Sequence, residues 1–358
     1  MDNTAQHLDI LLRQLQEEEG ETFVFDQAKI SEDAKRNVPL LANLPVELLT
    51  ILGGVFASLF LMGFLFAAGL YGSHTAMLLV GLLSVAGSVV LARVRNSTMA
   101  ETSCVSFHLI GYLLLGIGFS GLFPDETLLY SVLALMALGS LFAAASPALT
   151  FLAVLVFSGS LAAIILEHQA FQLMHVYIGV VAALLTYISL REASLISRGA
   201  WFNRVYRPVR MGLVVALLSA LVLLAHQRLL SMGITHYWLS GLLLVAAVLF
   251  VVSKVVRQVG LVKGRQRALL YTCCCLVLAP TVFAPAVPGA LLAMLTSFYL
   301  GHRAGFAVGL LALIYFVVLY YYDLQFTLLQ KSGILVLSGT LFIGGYLLLQ
   351  QHLKAYAD

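Results

Sequence analysis

The chain has 358 residues, 61% hydrophobic and 10% charged, with a mean hydropathy of +0.98. A soluble domain carries roughly a quarter charged residues, so a normally wetted globule is excluded. The net charge of +3 is too small and too dispersed for nucleic-acid binding, and repeated apolar runs of about 20 residues point to membrane-crossing helices, not to the alternating strands of a barrel.

Residues 1–45 form a polar segment that precedes any hydrophobic run, so the first span is expected to act as an uncleaved anchor. Within it, "HLDILLRQLQEEEG" places Leu8, Leu11, Leu12 and Leu15 at helical spacing, ending at Gly20, and predicts a short amphipathic helix. Nine of the 17 acids lie before residue 46. This helix is expected to dock on the arginines of 191–210 or on a partner protein.

Twelve spans follow, at residues 46–70, 74–92, 104–122, 126–144, 148–166, 171–190, 209–230, 236–256, 268–284, 286–300, 304–322 and 332–350. The expected fold is therefore all-α, a polytopic transmembrane helical bundle. Its first six-span half is 46–190 and a basic cytoplasmic loop is 191–208. The second half is 209–350 and a short cytoplasmic tail is 351–358. "LAPTVFAPAVPGALL" sets Pro280, Pro285 and Pro288 between two short apolar pieces. Residues 268–300 are thus either two full spans joined by a tight turn or a re-entrant hairpin, since proline removes a donor and breaks a helix. With the N-terminus inside, 18 of the 20 Lys and Arg fall on the cytoplasmic side and only Arg228 and Lys331 outside. The positive-inside rule then places both ends in the cytoplasm.

A charge within a span costs several kcal/mol and marks function by default. Beyond residue 45 the acids are Glu47, Glu101, Asp125, Glu126, Glu167, Glu192, Asp323 and Asp358, each at a span end, in a loop or at the C-terminus. A proton- or sodium-coupled transporter usually needs a carboxylate near the midplane, which argues against that mechanism. His74, Asp125, Glu126, Glu167, His168, His226, His236 and Asp323 map to the outer face, with His175 about one turn inside, but no pair has the spacing of metal ligands within one helix. Cys104 and the run Cys273, Cys274, Cys275 lie in apolar segments, and three adjacent helical thiols point apart. The motifs GxSxG, HExxH, DDxxD and the Walker loop are absent from the chain. No catalytic residue, metal or cofactor is assigned, and no enzymatic activity is expected.

The sequence closes on "LYYYDLQFTLLQKSGIL" at 319–335. Tyr320, Tyr321 and Tyr322 suit an outer aromatic belt, and a continuing helix puts Tyr320, Asp323, Thr327 and Lys331 on one face. That stretch either pegs the end of a helical hairpin or forms a binding site from Tyr320, Tyr322, Asp323, Thr327 and Lys331 beside the proline break.

"YYYDLQFTLLQKSGILVLSGTLFI" resembles the C-terminal signature of a bacterial polytopic family, domain of unknown function 4401. The shared pattern carries Tyr321, Tyr322, Leu324, Thr327, Leu328, Leu329, Lys331 and Ser332, followed by a glycine-containing last span. The position of Asp323 varies in that pattern, which shifts interest to Thr327 and Lys331. The resemblance implies a bacterial inner-membrane location, this polytopic architecture and association with other small membrane proteins. The expected function is a non-catalytic component of a membrane complex, held in the lipid bilayer with membrane-protein partners or as a homo-oligomer. The alternative is a small-solute transporter or binding protein with an outward-facing cavity.

Overall fold

The computed structural model describes residues 56–94, 98–143, 146–226, 236–259 and 277–323, with a few single positions beyond them. The described residues form eleven helices and no strand. In chain order these are α1 (Phe56–Ala67), α2 (His74–Val94), α3 (Thr98–Leu122), α4 (Glu126–Ala143), α5 (Pro147–Glu167), α6 (Leu173–Leu190), α7 (Glu192–Ile196), α8 (Ala200–Ala225), α9 (Trp238–Val259), α10 (Ala286–Tyr299) and α11 (Arg303–Asp323). Eight of them, α2 to α6, α8, α9 and α11, are long and apolar enough to cross a membrane. Expected spans two to eight and eleven correspond to these. The twelfth lies outside the described residues.

Two of the remaining expected spans appear as shorter helices. α1 covers part of 46–70, and α10, with 14 residues, reaches about 21 Å at 1.5 Å per residue, short of a hydrocarbon core of about 30 Å. The proline break explains where α10 starts. Pro280 sits at the start of a 3-10 turn, Ala279–Phe283, Pro285 precedes α10, and Pro288 falls in its first turn. A proline there removes an N–H that has no intrahelical acceptor anyway.

The chain forms two compact units, Met1–Leu113 and Leu114–Asp358, divided inside α3. In the first, α2 and the start of α3 pack closely at Gly111. A Cβ there would lie 2.6 Å from Val85 Cγ2 and 2.9 Å from the Gly81 carbonyl oxygen.

In the second unit, short connections make successive helices antiparallel. α8 is the hub, packing against α5, α6 and α10, while α9 joins α6 to α10 and α11 lies along α10. The core is apolar: Met174, Ile178 and Leu185 of α6, Leu217 and Leu221 of α8, Leu244, Val248 and Val251 of α9, and Leu292 of α10. Several hydroxyls in this unit are satisfied by the backbone of their own helices. Thr150, Ser158, Thr186, Ser219 and Thr296 donate to carbonyls three or four residues back in their own helices, the usual solution in lipid.

Charge divides this unit end from end. Arg191, Arg198, Arg204, Arg207, Arg210, Lys254, Arg257 and Arg303, all the Lys and Arg among its described residues, belong to the end where α4 leads to α5, α6 to α8, and α10 to α11. The opposite end carries Asp125, Glu126, Glu167, His168, His226 and His236. At the arginine end Trp201 donates to the Phe142 carbonyl at 3.2 Å and stacks on its ring. Arg191 and Lys254 lie over Tyr187 and Phe250 at 5.7 and 5.5 Å. Such amphipathic contacts anchor helix ends at an interface. α8 begins at Ala200, inside the expected loop 191–208, because a helix bearing arginines can extend beyond hydrocarbon into water.

Candidate functional site

At the acid–histidine end the polar side chains are tied into helix ends. Asp125 accepts from the Leu128 N–H at 3.2 Å and so caps α4. Thr127 bonds His168 at 3.1 Å, Tyr130 donates to Glu126 at 3.4 Å, and His226 bonds and stacks with Tyr315 at 3.2 Å. No group of three or more His, Cys, Asp or Glu side chains placed to hold a metal occurs among the described residues.

Of the residues expected to form a binding site, Tyr320, Tyr322 and Asp323 belong to this end. Tyr320 and Tyr322 are exposed, at 39% and 73%, on the last turn of α11. Asp323 is the final residue of that helix. Thr327 and Lys331 lie outside the described residues, so their position relative to Asp323 does too. Of the three prolines, Pro280 is exposed while Pro285 and Pro288 are buried. The break they form rests on α9, since a Cβ at Gly241 would fall on the Val282 carbonyl oxygen.

Two imidazoles are buried within spans, each bonded to a serine on a neighbouring helix. His175 Nδ1 lies 3.1 Å from Ser240 Oγ, one residue before Gly241. In the first unit His108 is fully buried, with Nδ1 2.7 Å from Ser88 Oγ. Ser88 spends its single proton on the Val85 carbonyl, also at 2.7 Å. The hydroxyl can then only accept from the imidazole, so His108 carries its proton on Nδ1. Its Nε2 lone pair is buried with no partner among the described residues, and the Tyr112 ring meets the imidazole edge-on at 4.9 Å. Sequence reasoning weighed intramembrane acids and outer-face histidines and so passed over His108. Its signal was a histidine inside the apolar run of α3, one hairpin away from Ser88.

The arginine end holds the other cluster that sequence reasoning missed. Arg210 and Tyr206, one turn apart on α8, are each only 4% exposed. The guanidinium sits over the phenol ring, 5.4 Å from its centroid, and the Tyr206 hydroxyl is buried with no hydrogen-bond partner among the described residues. Pro208 lies between them and leaves the Arg204 carbonyl without its usual helical donor. His302 enters from the turn between α10 and α11, where Gly301 takes a φ of 64°. The His302 Nδ1 accepts from the Gly305 N–H at 3.0 Å and so caps α11. Burial first, then the positive charges of Arg210 and Arg207, holds the His302 imidazole below its ordinary range. The ring is therefore neutral near pH 7, with its proton on Nε2.

Eight apolar helices of spanning length, many of their hydroxyls bonded to their own backbone, and cationic side chains gathered at one end of the second unit are the features of a membrane-embedded protein of the helical polytopic class. The model of the family described as Domain of unknown function (DUF4401) matches residues 43–352, and the chain belongs to that family. No curated protein and no solved structure matches it.

Proposed function

We propose that the protein is a non-catalytic component of a complex in the bacterial inner membrane. Its twelve spans leave both ends in the cytoplasm, and the arginine end of the second unit faces that side. The observation that carries the complex is the fate of the glycines. Gly111, Gly212, Gly289 and Gly309 let helices approach within the chain. Gly63, Gly139 and Gly159, inside helices, have nothing within 4 Å of a Cβ. An unneeded glycine in a helix costs about 1 kcal/mol relative to alanine, and small residues on a lipid-facing helix admit a second helix closely. These faces fit partner helices, from other small membrane proteins or from a second copy. The acids support a role without ion coupling, because Glu101, Asp125, Glu126, Glu167 and Glu192 all stand at or near helix ends.

Extraction of the intact protein from its native membrane, without detergent exchange, tests this reading. A stoichiometric membrane-protein partner or homo-oligomer is expected, with its association weakened about tenfold or more by Gly139→Leu together with Gly159→Leu. A monomer that moves solute across liposomes alone would overturn it and favour the transporter alternative.

A further inference from the structure

We propose that the cluster of Tyr206, Arg210, Arg207 and His302 is a binding site for a phosphate group, supplied by the headgroup of an anionic lipid or by a phosphate-bearing solute. A buried guanidinium ordinarily pairs with a carboxylate. Arg210 makes no ion pair among the described residues, although Glu192 acts electrostatically on its neighbour Tyr206. Tyr206, beside Arg210, supplies a second sign of a missing ligand, because its hydroxyl is a buried donor with no acceptor among the described residues. An unmade hydrogen bond of this kind costs about 1–3 kcal/mol.

Positive charge outweighs negative at the cluster, where Arg207 and Arg210 stand against the carboxylate of Glu192. Arg207 and Arg210 both act on His302, and His302 caps the first turn of α11, a 21-residue helix whose N-terminal amides add positive potential at the same place. The donors come from two separate elements, α8 and the start of α11. That spread suits a tetrahedral oxyanion, which accepts from several directions, better than a planar carboxylate. The cluster belongs to the end rich in Lys and Arg, where an anionic headgroup meets protein. This site goes beyond the complex proposed above and does not depend on it.

The test uses the full chain in nanodiscs, read by thermal midpoint. Inorganic phosphate is titrated in phosphatidylcholine discs against sodium chloride of equal ionic strength, and a second set of discs contains phosphatidylglycerol. A rise in midpoint with phosphate identifies a solute site. A rise with phosphatidylglycerol alone identifies a headgroup site, and either result supports the proposal. Tyr206→Phe is the sharper variant, because deleting a partnerless hydroxyl leaves the ligand-free midpoint unchanged or higher. It should weaken the response to whichever probe binds about tenfold, and Arg210→Lys, which keeps the charge but loses the fork, should weaken it also. Three results would overturn the site: a wild type indifferent to both probes, a response reproduced by chloride, or a Tyr206→Phe response equal to wild type. If Glu17→Gln, Glu18→Gln and Glu19→Gln together are needed to unmask phosphate binding, the occupant is the chain's own N-terminal segment, and the proposal also fails.

Discussion

Gly241→Ala should lower the stability of the second unit by about 3 kcal/mol, at the upper end of the usual range for overpacking. A Cβ at this position falls on the Val282 carbonyl oxygen, with the Val282 Cα 2.9 Å away. These are backbone atoms of the 3-10 turn, so no side-chain rotation relieves the clash. Either α9 or the turn must move. Movement of α9 also pulls Ser240, the adjacent residue, from His175, breaking a buried bond of 3.1 Å. Thermal melts in detergent or nanodiscs measure the loss. Gly139→Ala is the control, since its Cβ meets open space. It should be neutral or gain up to about 1 kcal/mol from the entropy and helix propensity of alanine. Equal melting of the two variants would mean that the turn does not rest on α9.

Ser88→Ala should cost the first unit about 1–3 kcal/mol, and a second change at His108 should recover much of it. Ser88 is the acceptor for the His108 Nδ1–H, so its loss leaves a buried polar nitrogen without a partner on both sides of the ring, the Nδ1–H donor and the Nε2 acceptor. An orphaned polar group carries its whole desolvation penalty, whereas removing both partners of a bond can be nearly neutral. His108→Leu fills a similar volume with carbon and also deletes the partnerless Nε2. Ser88→Ala with His108→Leu should therefore melt above Ser88→Ala alone. Four melts give the coupling between the positions. Additive changes would mean that the two side chains do not share a bond.

The helical, membrane-embedded character of this chain is legible in its residues because hydrocarbon imposes one demand on every span. Backbone polar groups must bond within the segment, so a continuous apolar run such as Leu173–Leu190 has one reading. The proline break was legible as a break, yet its form required the partner helix, since only Gly241 shows that the turn after Pro280 presses on α9. The site was less legible. Tyr320 and Tyr322 attract notice through their sequence neighbours and stand exposed at a helix end. Arg210 looks in sequence like one more loop arginine among Arg204 and Arg207. Its burial arises from α8 extending past the apolar run and from the turn at Gly301 bringing His302 beside it, a juxtaposition of residues 92 positions apart. His108 was hidden differently, because a neutral imidazole tied to a serine adds no formal charge to a span.

The proposed topology turns on one claim: the arginine end of the second unit is its cytoplasmic end. Asp125 and Arg198 stand exposed at opposite ends of the second unit. In a background with the native cysteines replaced, Asp125→Cys and Arg198→Cys are introduced singly and intact cells are treated with a membrane-impermeant maleimide. The account predicts labelling at 125 in intact cells and at 198 only after the membrane is opened. Labelling at 198 in intact cells, with 125 protected, would contradict it.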